Sequence, residues 1–192
     1  RATAISYSDL GRYDAAMTAI DAAITLNSRL IALHFERALY ALQQGNTGAA
    51  TVAYFNVLAF DPENIKARLR MCEVSTLLRE TATALDYCRQ VIERAPDWSQ
   101  GWYRLGREYY LQGRWEDAQA ALNRCSTLQV QQNIPITGRE FQCWYLQGQA
   151  AEILGDCPSL LTIYNQFRAM AAEADLPQTW TYPPEGPGIC LP

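Results

Sequence analysis

The sequence predicts an all-α protein: a right-handed α-solenoid of about four to five stacked antiparallel helix pairs, followed by an irregular proline-rich tail. Three observations predict this fold. Small residues and helix-breaking residues recur with one spacing, and the segments between them have apolar residues at helical spacing. The last segment, 175–192, has a composition that excludes a helix.

The repeat has a period of 34 residues, seen in several independent series. The alanine series is Ala16, Ala50, Ala84 and Ala118; the glycine series is Gly11, Gly45 and Gly113; the proline series is Pro62 and Pro96. Arg79 stands in the glycine series where a glycine is missing, and Ser28 stands one period before Pro62. Agreement of several series on one period indicates stacked copies of one helix pair.

A fifth copy lies in a shifted register. Trp102 and Trp144 are 42 residues apart, eight more than the period, and two glycine pairs repeat this distance: Gly106 with Gly148, and Gly113 with Gly155. An inserted loop at 129–138, which contains Pro135 and Gly138, accounts for the shift.

These spacings predict the domain organisation. The solenoid covers 1–174 and the tail 175–192. Within the solenoid we expect a partial repeat, 1–30, and four further repeats, 31–64, 65–98, 99–140 (with the inserted loop) and 141–174. The last repeat of a solenoid has an apolar face with no following repeat, and a capping segment must bury that face. We therefore expect the tail to fold back on the last helix pair, with Trp180 or Tyr182 as its anchor. The alternative is that the tail is an ordered linker.

The stretch 102–122 resembles the tetratricopeptide repeat, whose pattern is Trp-x2-Leu-Gly-x2-Tyr, then Ala-x3-Phe, then Pro. The matching residues are Trp102, Leu105, Gly106, Tyr109, Ala118 and Leu122, with Val130 in place of the final proline. The resemblance covers residues 1 to about 174 and implies a scaffold that binds proteins or peptides. It departs from the pattern at 31–64 and 65–98, which lack the Trp and the Leu-Gly pair, and at Leu160, which replaces the alanine.

Packing within each repeat is predicted from the sizes of its residues. Small residues on the first helix, facing the alanine series on the second, allow the two helices to approach closely. Large residues such as Tyr54, Tyr109 and Tyr164 fill the remaining space. The small residues expected on the first helices are Ala38, Cys72, Gly106 and Gly148.

Composition limits the classes of partner. The net charge is -4, and the basic residues are 15 arginines and Lys66. This balance disfavours nucleic-acid binding, which requires a basic excess. No apolar run is long enough to cross a membrane, so we expect no direct insertion by this chain. The chain begins at Arg1 without a signal-peptide pattern, from which we expect a mature form or a fragment.

Six cysteines permit 15 connectivities, and the repeat register narrows them. Cys72 and Cys88 lie midway along the two helices of one pair. Cys125 lies near the end of the second helix of one pair, and Cys143 lies near the start of the first helix of the next pair. Cys157 begins the last helix, and Cys190 lies in the tail that is expected to cover it. The predicted disulfides are Cys72–Cys88, Cys125–Cys143 and Cys157–Cys190. The alternative is that Cys72 and Cys125 are free cysteines that serve as small apolar residues.

The sequence predicts no catalytic site, cofactor or metal. A nucleophile–base arrangement would need His34, which has no evident partner, and we interpret it as structural. There is no phosphate-binding glycine motif. A zinc site is disfavoured because Cys-x2-Cys is absent and His34 is the single histidine.

In proteins that look like this chain, the first helix of each pair lines a concave groove that holds partner segments. Read by register, the groove residues are Phe35, Leu39, Leu42, Lys66, Leu69, Arg70, Glu73, Tyr103, Arg104, Arg107, Tyr110, Tyr145, Gln149 and Glu152. Aromatic and arginine side chains dominate interfaces, so Tyr103, Arg107, Tyr110 and Tyr145 are the central candidates. The alternative is that some of them pack between repeats.

The family's clamp for a C-terminal carboxylate requires asparagine where this chain has Leu39, Glu73 and Arg107. This departure argues against a chaperone cofactor of that type.

The predicted function is therefore a non-catalytic protein-interaction scaffold that belongs to a larger assembly. If the disulfides form, its compartment is extracytoplasmic: periplasm, cell surface or secreted. Two alternatives remain. One is a regulatory or docking domain of a larger enzyme, such as a kinase or transferase. The other is a cytoplasmic adaptor with six reduced thiols.

Overall fold

The computed structural model describes residues 1–191, which form ten α-helices and two short 3-10 turns, with no β-strand among them. The chain divides into two compact units, residues 1–91 and residues 92–192. The first helices are α1 (Ala2–Asp9), α2 (Tyr13–Leu26), α3 (Ile31–Gln43), α4 (Thr47–Phe60), α5 (Ile65–Leu77) and α6 (Thr81–Arg94). The second unit continues with α7 (Ser99–Leu111), α8 (Trp115–Gln131), α9 (Gln142–Leu154) and α10 (Cys157–Glu173).

The glycine series marks the turn between the two helices of each pair. Gly11, Gly45, Gly113 and Gly155 all have a positive φ, between 69° and 72°. Glycine adopts this left-handed conformation at no steric cost, which makes it a suitable residue to end one helix before the next begins. Arg79 takes the same conformation, with φ 59°, in the slot where the series lacks a glycine.

Side-chain caps start two of the helices in the first unit. The amide oxygen of Asn46 accepts a hydrogen bond from Ala49 N at 2.9 Å, and that of Asn64 accepts one from Ala67 N at 2.9 Å. Each bond satisfies a backbone N–H that has no partner within its helix.

The core of the first unit consists of small residues packed against larger ones. Ala16, Ala50 and Ala84 are fully buried, as is Ala38 on α3. Tyr54, 3% exposed, packs in a cluster with Met71 and Val74 of α5. The small-against-large packing predicted from the sequence is present here.

In the second unit, α7 and α8 approach closely because Gly106 has no side chain. A Cβ atom placed on Gly106 would lie 2.6 Å from Leu122 Cγ and 3.1 Å from the Leu122 backbone nitrogen. Leu122 and Ala118 of α8 are both fully buried. The pairing of small and large residues therefore brings these two helices together, as predicted.

The segment predicted as an inserted loop at 129–138 differs from the observed structure at its start. Residues 129–131 are the end of α8, and the chain between α8 and α9 contains a 3-10 turn at Ile136–Gly138. Gln129 explains the longer helix. Its side chain, 2% exposed, accepts a hydrogen bond from Glu140 N at 2.6 Å and donates one to Cys125 Sγ at 3.2 Å.

The proline-rich tail lies on α9 and α10. Trp180 is 6% exposed, and its ring packs against Tyr145, Tyr164 and Phe167. Gly148 was predicted to make room for its partner helix, but the nearest atoms belong to the tail. A Cβ atom on Gly148 would lie 2.1 Å from the Trp180 ring.

Candidate partner-binding site

The predicted groove residues of the first unit lie on α3 and α5. Leu39 is 50% exposed, and Phe35 is half-buried against Tyr54, with ring centroids 5.9 Å apart. Lys66 is exposed, whereas Leu69 is only 6% exposed and packs in the core. Leu39 and Lys66 therefore supply part of the exposed surface here.

Arg70 and Glu73 of α5 form an ion pair one helical turn apart. Arg70 Nη1 donates to Glu73 Oε2 at 2.6 Å. This hydrogen bond to Glu73 raises the pKa of the Arg70 guanidinium. Burial raises the pKa of the neighbouring Tyr54 hydroxyl. The two charges neutralise one another, so this part of α5 presents a paired, not a free, arginine.

In the second unit, three of the central candidates lie on one face of α7. Tyr103, Arg107 and Tyr110 are spaced by four and three residues, which places them side by side along a helix. Tyr103 is only 7% exposed and belongs to the core, with the Arg104 guanidinium 5.0 Å above its ring. Little of the Tyr103 side chain is therefore accessible to a partner. The exposed part of this face comes from Arg107 and Tyr110.

Arg107 is the central candidate on α7 whose charge is not paired with another described residue. Its side chain is half-buried, and the guanidinium has no hydrogen bond or ion pair with any described residue. Guanidinium groups present five N–H donors in a planar fork that suits carboxylate and carbonyl oxygens. Arg107 therefore has donors available for an outside group.

A chain of hydrogen bonds links α7 to α9 beside Arg107. The Tyr110 hydroxyl donates to Gln149 Oε1 at 2.8 Å, and Gln149 Nε2 donates to the Tyr145 hydroxyl at 2.7 Å. Burial, and then the neighbouring Tyr145, raise the pKa of the Tyr110 hydroxyl, which keeps it protonated as a donor. The structure thus brings together three predicted residues from two helices, each half-buried and held in a fixed orientation.

Tyr145 also lines an apolar pocket of about 270 Å³ between α9, α10 and the tail. The other lining residues are Phe141, Gln142, Phe167, Ala171, Leu176, Pro177 and Thr179. An apolar side chain could occupy such a pocket. Sequence reasoning did not find it, because Leu176, Pro177 and Thr179 belong to the tail, which lies outside the repeat pattern.

Glu152, another predicted groove residue, is hydrogen-bonded to a tyrosine of the tail. The Tyr182 hydroxyl donates to Glu152 Oε2 at 2.7 Å, and Tyr182 N donates to the Tyr164 hydroxyl at 3.1 Å. Burial, and then the Glu152 carboxylate, raise the pKa of Tyr182 to about 12. Glu152 is therefore engaged by the tail.

The six cysteines lie in three disulfide bonds. The pairs are Cys72–Cys88, Cys125–Cys143 and Cys157–Cys190, with Cα–Cα distances of 5.3, 6.0 and 5.4 Å. These distances fall within the range that a disulfide spans. They are the same three pairs that the repeat register predicts.

His34 lies in the interior of the first unit. It is 2% exposed, its Nε2 is 2.7 Å from the Ser28 carbonyl oxygen, and its ring centroid is 5.6 Å from that of Phe60. No group of three or more His, Cys, Asp and Glu side chains within 1–191 could hold a metal ion. Over the same residues, no helix combines the length and the apolar character that crossing a membrane requires.

Comparison with known proteins identifies the repeat. A family model of the tetratricopeptide repeat matches residues 1–65. No curated protein matches the sequence. The fold of about nine-tenths of the chain, however, is shared with solved structures of tetratricopeptide-repeat proteins. The chain has the tetratricopeptide-repeat fold.

Three solved structures show the extent of the likeness. MamA from Desulfovibrio magneticus RS-1 has a TM-score of 0.75 and 16% identity, over 90% of this chain and 93% of that one. A tetratricopeptide repeat protein from Parabacteroides merdae has a TM-score of 0.71 and 18% identity, over 90% of this chain and 64% of that one. The nearly identical tetratricopeptide-like repeats of a Podospora anserina putative kinesin light chain have a TM-score of 0.71 and 15% identity, over 90% of this chain and 92% of that one. At these identities the likeness concerns the fold alone.

Proposed function

We propose that this tetratricopeptide-repeat chain is a non-catalytic scaffold that binds a segment of a partner protein on the α7–α9 face of its second unit. The tetratricopeptide-repeat fold is consistent with a protein-interaction scaffold. We define the α7–α9 face as Arg107, Tyr110, Tyr145 and Gln149. It is the part of the predicted groove where the side chains are both oriented and accessible.

One observation carries the proposal: Arg107 is half-buried and unpaired among the described residues, beside a tyrosine–glutamine network that is already formed. Orienting side chains before binding reduces the entropy lost when a partner docks. A carboxylate or backbone carbonyl of the partner would receive the Arg107 N–H groups. An apolar side chain from the same segment would enter the pocket beside Tyr145, because that residue borders both features.

We further propose that the scaffold works outside the cytoplasm, as part of a larger assembly. Three disulfides among 192 residues support an oxidising compartment, because cytosolic thiols are kept reduced. This observation favours the extracytoplasmic scaffold over the cytoplasmic adaptor.

Site-specific photo-crosslinking in the cells that make the protein tests the proposed face. Benzoylphenylalanine is placed at Leu111, an exposed residue one turn from Arg107, and at Gln142, an exposed residue that lines the pocket beside Tyr145. The matched control is Asn165, an exposed residue of α10 that lines no described cavity. We expect one protein to be crosslinked from positions 111 and 142 and not from 165.

The affinity of the purified crosslinked partner is then measured for wild type and for Arg107→Ala. We expect the Kd to rise about tenfold or more, as for an interfacial arginine that carries binding energy. Circular dichroism serves as the check on folding. Equal affinity of the two proteins, or crosslinks from position 165 alone, would remove the α7–α9 face from the binding site.

A further inference from the structure

A second recess in the unit 92–192 lies between α8 and α10, and the proposed function does not use it. Two cavities of about 470 Å³ and about 220 Å³ lie next to one another here and share Asn123 and Gln166. Buried residues of α9 form the floor: Gln147, 6% exposed, and Trp144, 1% exposed. Because they share two lining residues, the cavities form one groove along α8.

The walls of this groove carry uncharged hydrogen-bonding side chains at helical spacing. On α8 they recur every four residues, and on α10 every three or four, so each set forms one line along its helix. We call this the amide groove: Gln119, Asn123, Thr127 and Gln131 of α8; Ser159, Thr162 and Gln166 of α10; and the floor residues Trp144 and Gln147.

Charge is nearly absent from the amide groove. Glu116, in the first turn of α8, is the one charged residue that lines either of these two cavities. The same helices carry charges on other faces, with Asp117 and Arg124 on α8 and Arg168 on α10. The neutral lining is therefore specific to the groove.

Bonds inside the protein orient the amides of the groove. Asn123 Oδ1 accepts from Gln147 Nε2 at 3.2 Å, and Gln166 Oε1 accepts from Trp144 Nε1 at 3.2 Å. Because an indole nitrogen can only donate, Gln166 must present its oxygen to Trp144 and its NH₂ group outward. Asn123 likewise keeps its NH₂ group free among the described residues.

An acceptor is available at the other end of the groove. Gln119 Nε2 donates to Asp156 Oδ2 at 3.0 Å, which leaves the Gln119 carbonyl oxygen without a partner in the described chain. Gln147 completes the arrangement, since its own oxygen accepts from Ser126 Oγ at 3.3 Å. The groove thus offers fixed donors and a fixed acceptor with no net charge at those positions.

We propose that the amide groove binds an extended, uncharged peptide segment through hydrogen bonds to its backbone. A peptide backbone presents one N–H donor and one C=O acceptor per residue, which matches neutral amide walls. From residue 116 to residue 131, α8 spans about 22 Å at 1.5 Å per residue. That length holds about six or seven residues of an extended chain at about 3.3 Å each.

A carbohydrate fits this groove less well. Sugar rings are usually held against an exposed aromatic face, and the one aromatic residue lining the groove, Trp144, is buried under Gln166. The peptide's own side chains would be small and neutral, because the walls, apart from Glu116 at one end, offer no charge to pair with them.

The groove follows from a departure from the repeat. The second helices α8 and α10 have 17 residues each, whereas α2, α4 and α6 have 14. The added turn of α8 supplies Gln131 at the end of its wall. The site is therefore a property of the modified repeat and is distinct from the α7–α9 face.

The test begins with random heptapeptides displayed on phage and selected on the folded, oxidised chain. Enriched sequences are synthesised with acetylated and amidated ends, and their Kd is measured by calorimetry. Thr162→Arg places a long cation in the groove without removing a bond to the floor, because the Thr162 hydroxyl bonds only its own helix, at Pro158 O. Asn165→Arg, on the same helix and exposed, is the matched control.

We expect the enriched peptides to be uncharged. Thr162→Arg should raise their Kd at least tenfold, Asn123→Ala about fivefold, and Asn165→Arg less than twofold. N-methylation of the central peptide amides should also raise the Kd at least tenfold, because it removes backbone donors. Circular dichroism confirms that each variant is folded.

Several results would overturn the proposal. These are a failure to enrich any peptide, a Kd that Thr162→Arg does not change, or affinity that survives N-methylation. Loss of peptide binding in Arg107→Ala would place the peptides on the α7–α9 face instead. Binding on a glycan array that Thr162→Arg abolishes would assign the groove to carbohydrate.

Discussion

At the scale of single residues, one backbone conformation recurs wherever the first helix of a pair turns into the second. Four of these positions are glycines, and the fifth is Arg79, with φ 59°. For a residue with a Cβ atom, the left-handed conformation costs about 1–2 kcal/mol. The Arg79 side chain is exposed and has no hydrogen bond or ion pair within 1–191 that would offset this cost.

Arg79→Gly should therefore stabilise the protein. We expect the free energy of unfolding to rise by about 0.5–1 kcal/mol, because relief of the steric cost exceeds the extra freedom that glycine gives the unfolded chain. The midpoint of urea unfolding measures the change. Arg79→Ala is the control, since it removes the side chain but keeps the Cβ atom. A glycine variant no more stable than the alanine variant would show that the turn is not strained.

Residue periodicity predicts burial better than it predicts exposure. The alanine series could be predicted because a residue between two close helices must be small whatever surrounds the pair, and Ala16, Ala50, Ala84 and Ala118 are all fully buried. Tyr103 lies in the predicted groove register, yet it is only 7% exposed. Register gives the face of a helix, but how deep a long side chain lies depends on the neighbouring helices, which the local pattern does not contain.

At the scale of elements, two glycines in equivalent repeat positions have different neighbours. Gly106 faces Leu122 of its partner helix, whereas Gly148 faces the ring of Trp180 from the tail. The repeat pattern predicts a small residue at both positions but cannot identify the neighbour, because the tail has no repeat. For the same reason, the pattern missed the last turn of α8, which is stabilised by the bonds of Gln129 to the loop and to Cys125.

Gly148→Ala should displace the tail from α9. The added Cβ atom would lie 2.1 Å from the Trp180 ring, so the ring must move, at a cost of about 1–3 kcal/mol. We expect tryptophan fluorescence to shift to longer wavelength and proteases to cut within 175–191 sooner than in wild type. Gly188→Ala is the matched control, because a Cβ atom there meets nothing within 4 Å. Identical spectra and digestion for both variants would mean that Trp180 does not depend on Gly148 for its place.

At the scale of the whole molecule, disulfides stabilise both units. Cys72–Cys88 lies within residues 1–91, and Cys125–Cys143 and Cys157–Cys190 lie within 92–192. They close loops of 16, 18 and 33 residues by sequence separation. Each closure of this size is expected to contribute about 3 kcal/mol by restricting the unfolded chain. The cross-links therefore supply a large share of the net stability of units this small.

Reduction should accordingly lower the thermal stability of the whole chain. We expect a reductant to lower the unfolding temperature by more than about 10 °C, since 1 kcal/mol corresponds to roughly 4–8 °C in a unit of this size.

A thiol count tests the proposed compartment. The protein, taken from its native compartment, is denatured without reductant and alkylated before its intact mass and peptide map are measured. No alkylated cysteine and three linked peptide pairs would support the extracytoplasmic scaffold. Six alkylated cysteines would leave the helical repeats in place, make the cysteines small core residues, and direct the search for the partner of the α7–α9 face to the cytoplasm.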